Sequence, residues 1–282
     1  WFLSKAKRSK FIIEIRDLQP ESGEEFGNLK QSIFTRALKR FMHFLYRRAD
    51  RIVSVTDGIT EYMKEIGIAS DRMVTVKSGV SKEFFEADSN GIRKNFGWED
   101  KFLVLHAGTL GWAHAHETII EAARRLLDQP DIYFVFVGDG QKKAVLEGMV
   151  RDYGLKNVGF IGLQPLEAIP QFLKASDVLI ASLRQVPVAQ RAFPSKLFEY
   201  MASGKPIIFG STGGEVIHEL ERAGGALWFP SDDPERLSEL ILKLKSGEID
   251  GPGLGRQYHQ HVIKHHRREL WAQRYLHMIE QV

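Results

Sequence analysis

Beyond residue 101 the chain alternates apolar runs with amphipathic stretches. Residues 102–107 (FLVLHA), 132–137 (IYFVFV), 158–161, 178–183, 207–209 and 226–229 are short, largely apolar runs. Such runs predict strands covered on both faces. Between them, residues 116–127 place Ile119, Ile120, Ala123, Leu126 and Leu127 on one helical face. Further helices are predicted at 142–153, 166–175, 195–203, after Gly213-Gly214, and at 234–245. Strands alternating with helices of this length imply parallel βαβ units and an α/β doubly wound sheet. Ligands of such sheets bind at the carboxyl ends of the strands.

Before residue 101 the pattern is shorter. It predicts strands at 11–15 and 51–55, an extended stretch at 73–76, helices at 29–48 and 57–66, and a charged lead-in running straight into the first strand. Residues 77–99 are polar and contain glycine, which marks the domain boundary. Helix-forming sequence returns at 261–280, with Leu270, Tyr275, Leu276 and Ile279 able to pack. The expected organisation is therefore a first lobe over 1–80, a linker at 81–100, a second lobe over 101–258 and a terminal helix at 259–282.

Composition changes little. The 282 residues are 43% hydrophobic and 27% charged, with a net charge of +3, which is too small to point to nucleic acid. The absence of cysteine excludes a disulfide scaffold, a cysteine zinc site and a thiol nucleophile. It fits a reducing compartment. No apolar run is long enough to span a bilayer, and no secretory signal is recognisable. The expected location is cytoplasmic. Charge is uneven, however: residues 5–10 (KAKRSK) and 36–51 are strongly basic. In the second segment Phe34, Leu38, Phe41 and Leu45 fall at helical spacing. The commoner arrangement is a core-facing helix with a solvated basic face. The alternative is peripheral contact with anionic lipid.

The stretch 193–210 (FPSKLFEYMASGKPIIFG) carries the chemistry. A proline-started helix ends in glycine and leads into a buried strand, leaving Ser195 and Lys196 at the positive helix end, a seat for phosphate. Glu199 follows one turn later, and a carboxylate can accept both hydrogen bonds of a vicinal diol. This stretch resembles the donor segment of retaining, nucleotide-sugar-dependent glycosyltransferases with the two-lobed GT-B fold. The resemblance extends through ADRIVSVTDGITEYM and the hinge Ser78-Gly79-Val80 to LHAGTLGWAHAHETIIEAA, VFVGDGQKK and GFIGLQPLEAIPQFLKASDVLIASL. PSKLFEYMA with a Ser-Leu-Arg strand end is closest to bacterial surface-polysaccharide transferases of amino sugars.

The resemblance implies a UDP-sugar donor, no metal or other cofactor, and a lipid-linked glycan acceptor at the inner membrane face. It places Glu199 on the ribose, Gly108 and Thr109 in the donor loop, and Phe160, Ile161 and Gly162 against the base. Asp17 stands in a first-lobe loop where relatives read His-Asp, a candidate for positioning or proton traffic; a turn-forming aspartate reads equally well there. The chain also departs from the family pattern. Arg191 replaces the first acid of a paired-glutamate signature, and Thr109 and His114 replace a basic pair. Lys196 and Arg184 are the candidates to stabilise the diphosphate leaving group in their stead. Metal spacing is not evident: His114 and His116 sit two apart in a predicted loop and His265-His266 are adjacent, the pattern of surface or capping histidines.

With about two strands before the hinge, the first lobe is expected to be incomplete. The chain then reads as a fragment or as half of a split enzyme. Two alternatives to the transferase remain: a non-catalytic nucleotide-binding subunit and a UDP-sugar epimerase. Gly108-Thr109-Leu110-Gly111 does not complete GxGxxG, so a classical dinucleotide enzyme is disfavoured.

Overall fold

The computed structural model describes residues 1–89, 91–211 and 213–282. Among these described residues, nine strands form two parallel sheets. The first contains β1 (Ile12–Ile15), β2 (Arg51–Ser54) and β3 (Met73–Thr75), in that order. The second contains β4 (Phe102–Ala107), β5 (Ile132–Val137), β6 (Val158–Gly162), β7 (Val178–Ser182), β8 (Ile207–Gly210) and β9 (Leu227–Phe229), arranged β6-β5-β4-β7-β8-β9. This is the doubly wound order, in which the chain reverses direction across the sheet between β4 and β7.

Consecutive apolar residues in the second sheet serve opposite faces. Leu103, Leu105, Val135, Leu179 and Phe209 pack with Phe172, Phe198 and Leu220 on one side. Val104, Phe134, Phe136, Ile180 and Ile208 pack with Ile119, Ile120 and Leu237 on the other. Both faces are thus covered, which is why β4, β5 and β7 read as unbroken apolar runs.

Several expectations need correction. Residues 2–7 form a helix rather than a lead-in. The predicted linker holds two short helices, Glu83–Glu86 and Ile92–Asn95, whose Phe84 and Ile92 are buried. The terminal helix is two: Gly251–His265 and Arg268–Glu280, broken at His266. In the helix Ile33–Arg48 the buried residues are Thr35 and Tyr46. The stripe predicted to face the core does not do so, since Phe34 and Phe41 are 75% and 53% exposed.

The lobes are joined by specific contacts. Glu215 accepts hydrogen bonds from the backbone of Asp57 (3.1 Å) and Gly58 (2.9 Å) at the start of the helix Asp57–Glu65. Arg191 forms a two-pronged pair with Glu65 at 3.0 and 3.1 Å. At the hinge, Val80 bridges to Arg267. A Cβ on Gly79 would lie 2.4 Å from the Arg268 Cα, a backbone atom that cannot swing aside. Gly79→Ala is expected to destabilise the protein by about 1–3 kcal/mol, read as a lower denaturant midpoint.

Candidate functional site

The reversal between β4 and β7 makes their following loops diverge, opening a crevice at the strand ends. Gly108, at φ +139, starts the first loop, and its N–H donates to Val137 O at 2.9 Å. The loop is tied down again where Leu110 N donates to Asp139 O and Lys142 N to Leu110 O, both at 2.9 Å. The second loop is fixed to it by Arg184 N donating to Ala113 O at 2.9 Å.

Lys196 enters from the helix Lys196–Ala202. That helix is anchored by the Tyr200 hydroxyl, which accepts from Ala107 N at 2.7 Å and donates to Ala107 O at 2.8 Å. A Cβ on Gly108 would lie 3.0 Å from Lys196 Nζ, so the glycine leaves room for the side chain. Part of the Lys196 stem meets solvent, but its Nζ is enclosed and has no hydrogen-bond partner among the described residues. Burial pushes its pKa down to about 8, against the raising influence of Glu199. An enclosed ammonium without a partner is costly.

Glu199 lies one turn along. Burial raises its pKa, and Arg268 and Lys196 oppose that rise. With Ser195 it lines a cleft of about 460 Å³ between the lobes, shared with Glu14, Arg16, Lys77 and Arg268. Ser195 and Thr109 are exposed. Arg184 is half-exposed, 3.6 Å from Glu117, which also pairs with the fully buried Lys142. The structure therefore brings Gly108, Lys196 and Glu199 together, with Arg184 on the adjoining loop.

At the β6 end, the Phe160 ring stacks on Phe136 at 5.1 Å and Ile161 packs against the core. Gly162, at φ +74, accepts from Gly138 N at 2.8 Å, aligning the ends of β5 and β6. Asp17 is exposed on the loop after β1. Its neighbour Arg16, not Asp17, lines the cleft.

Two polar clusters escaped the sequence reading. His116, expected as a surface or capping histidine, is buried at the start of the helix His116–Arg125, and its Nε2 lies 3.2 Å from His106 Nε2. His266, expected at the surface, is 3% exposed. It shares Glu219 Oε1 with His261, at 2.9 and 2.7 Å. The ligand atoms of Glu219, His261 and His266 lie within 4.8 Å of one another, yet Lys77 (3.6 Å) and Arg222 crowd the same carboxylate. Those two cations disfavour a third.

Two lobes of parallel sheet, hinged at Val80 and opening onto a switch-point crevice, define a GT-B-type α/β protein. The chain belongs to the glycosyl transferases group 1 family, whose model matches residues 88–264. It is 27% identical over 214 residues to the putative colanic acid biosynthesis glycosyl transferase WcaI of Escherichia coli, covering 72% of this chain and 51% of WcaI. It is 28% identical over 258 residues to the probable glycosyltransferase WbjE of Pseudomonas aeruginosa, covering 87% of this chain and 62% of WbjE. The chain thus spans roughly half to three-fifths of these curated relatives. Its fold superposes on Anabaena HepE in complex with UDP and glucose with a TM-score of 0.82 at 16% identity, over 99% of this chain and 73% of HepE.

Proposed function

We propose that this chain carries the donor site of a retaining glycosyltransferase that takes a UDP-sugar and acts in cell-surface polysaccharide synthesis on a lipid-linked saccharide. The observation that carries the reading is the enclosed, unpartnered ammonium of Lys196 beside Glu199. Lys196 supplies the charge that a diphosphate leaving group needs, and it is in place before the ligand arrives. Arg184 is a second cation within reach on the neighbouring loop. Glu199 accepts from the ribose hydroxyls, and no metal or further cofactor takes part. Retention follows from front-face attack, with stabilisation of the leaving group in place of an enzymic nucleophile. The polysaccharide role is supported by WcaI, named for colanic acid biosynthesis, and the uridine preference by HepE, which binds UDP.

Calorimetric titration with UDP, with GDP as comparison, tests the donor. Saturable UDP binding at least about tenfold tighter than GDP, a difference of about 1.4 kcal/mol, is expected. Preferential GDP binding would keep the site and change the donor. A second reading, a non-catalytic nucleotide-binding subunit, is favoured by Arg191: it stands where the signature has an acid and is spent on Glu65.

The exposed Ile33, Phe34, Phe41 and Phe44, interleaved with Arg36, Arg40, Arg47 and Arg48, support peripheral contact with an anionic membrane. No helix among the described residues is long and apolar enough to cross one. Co-sedimentation with vesicles containing anionic lipid is expected to be at least about tenfold stronger than with neutral vesicles, and to fall in a Phe34→Ser/Phe41→Ser variant. Equal binding to both vesicle types would remove this part of the proposal.

A further inference from the structure

Three histidines lie beneath the donor loop, and their hydrogen bonds fix their tautomers. His106 Nδ1 lies 3.1 Å from Ile180 O, and His114 Nδ1 lies 2.5 Å from Ser182 O. A carbonyl oxygen can only accept, so both Nδ1 atoms carry the proton. In the neutral rings both Nε2 atoms are then bare. His116 Nε2 faces the bare His106 Nε2 at 3.2 Å, so His116 carries its proton on Nε2. That leaves His116 Nδ1 bare, and it is buried with no partner among the described residues. The rings are close-set, with centroids 4.7 Å apart for His106 and His116 and 5.1 Å for His114 and His116.

Cations surround this cluster. Lys196 approaches from its helix and Lys142 from the start of the helix Lys143–Asp152. Arg184 approaches from the loop after β7, while Glu117 is the nearby acid and is paired with Lys142 and Arg184. Burial first, then the Lys196 charge, hold His114 neutral, its pKa pushed down to about 3; His116 is pushed to about 2 by burial, His114 and Lys196. Burial, reinforced by the neighbouring cations, thus keeps these histidines uncharged. A diphosphate brings two negative charges and reverses the sign of that field.

Resting on the donor-site reading above, we propose that binding of a nucleoside diphosphate sugar is coupled to uptake of one proton from solvent at His114 Nε2. His114 thereby adds a further cation to Lys196 and Arg184 at the diphosphate, while its Nδ1–H keeps the ring seated on Ser182 O. The proton arrives with the donor, so the uncharged rings do not repel Lys196 in the empty protein. His114 is a positioning and charge-balancing residue for the leaving group. His106 and His116, locked to Ile180 O and to each other, form the wall behind it.

The test is calorimetric titration of the chain with UDP-glucose, and with GDP-mannose in parallel, at pH 6.5 in buffers of different protonation enthalpy. A diphosphate diester has no proton that titrates in this range, so any uptake belongs to the protein. The expected slope corresponds to about one proton taken up per donor bound. Affinity should fall roughly tenfold per pH unit between the unliganded and the bound-state pKa and level off above the latter. His114→Asn keeps a donor for Ser182 O but cannot take a proton: binding should weaken and both the slope and the pH dependence should vanish. His114→Lys, with a fixed charge, should restore affinity without uptake. Binding by the unaltered protein with no buffer dependence would overturn the proposal and leave the donor site standing. Binding of neither sugar nucleotide would bring down both. The wild-type slope decides the matter even where a variant fails to fold.

Discussion

Replacing Lys196 by Met is expected to move binding and stability in opposite directions. Loss of a charge-assisted contact to the diphosphate should weaken UDP by about 1.5–3 kcal/mol, roughly 10- to 150-fold. The ligand-free protein should gain stability, because the native state no longer encloses an unpartnered ammonium. The folded-state pKa of about 8, against 10.5 for the free side chain, corresponds to about 3 kcal/mol of unfavourable burial while the lysine is charged. The sign follows from linkage. A depressed lysine pKa means that the unfolded chain binds the proton more tightly, so wild-type stability should rise as pH increases from about 8 towards 10.5. In the Met variant that rise should disappear. Thermal unfolding at pH 7 and pH 10 measures both effects. A Met variant less stable than wild type at pH 7 would mean that Lys196 has a partner in the empty protein. A buried charge tolerated for its ligand is an instance of stability given up at a functional site.

Glu219→Ala should give the largest loss of stability. This carboxylate is 2% exposed and holds together the helix Glu215–Arg222, the junction of the two terminal helices, and Lys77 at the end of the first lobe. Burial would raise its pKa, but the hydrogen bonds from His261 and His266 and the charges of His266 and Lys77 outweigh it and hold it far below the usual carboxylate range. Both imidazoles donate through Nε2–H and can do so while neutral; burial in fact lowers the His266 pKa despite the carboxylate beside it. Removing the carboxylate leaves Lys77 with fewer counter-charges and two buried N–H groups unmet. The expected loss is about 3–5 kcal/mol. Glu219→Gln, which can still accept from both rings, should lose less. Because the native pKa is depressed, this stabilisation is present above about pH 4.5 and fades as pH falls below it. Urea titration at pH 7 and pH 4 reads both. A drop of under about 0.5 kcal/mol, the size of an ordinary surface substitution, would show that the cluster is incidental to the fold.

The second lobe was legible because its strands are buried on both faces. Unbroken apolar runs placed β4 and β5 to the residue. The helix that carries Lys196 and Glu199 was placed because it is bounded by proline and glycine. The first lobe was harder. The apolar residues of the helix Ile33–Arg48 spread over more than half its circumference, so spacing alone did not select Thr35, Met42 and Tyr46 over Phe34 and Phe41 as the inward side. The helix Gly251–His265 was missed for the opposite reason. Its opening GPGLG reads as a breaker, yet a Cβ on Gly255 would lie 2.1 Å from Gly204 O. There the glycine permits close packing rather than a turn. His106, His116, Glu219 and His266 could not be found from spacing, because their partners are distant in sequence and burial sets their chemistry. Arg191 was recognised as a departure from the family pattern, but only the structure gives it work to do, as a latch to Glu65 and a cation over the Tyr62 ring at 5.2 Å.

Crystals of the chain grown with UDP provide the most direct test of the donor site. The diphosphate should lie in the crevice between the loops after β4 and β7, with an oxygen about 2.8 Å from Lys196 Nζ. The ribose hydroxyls should lie on Glu199, and the base against the main chain of 160–162. A diphosphate seated elsewhere, with the Lys196 ammonium still enclosed and unpaired, would contradict the assignment.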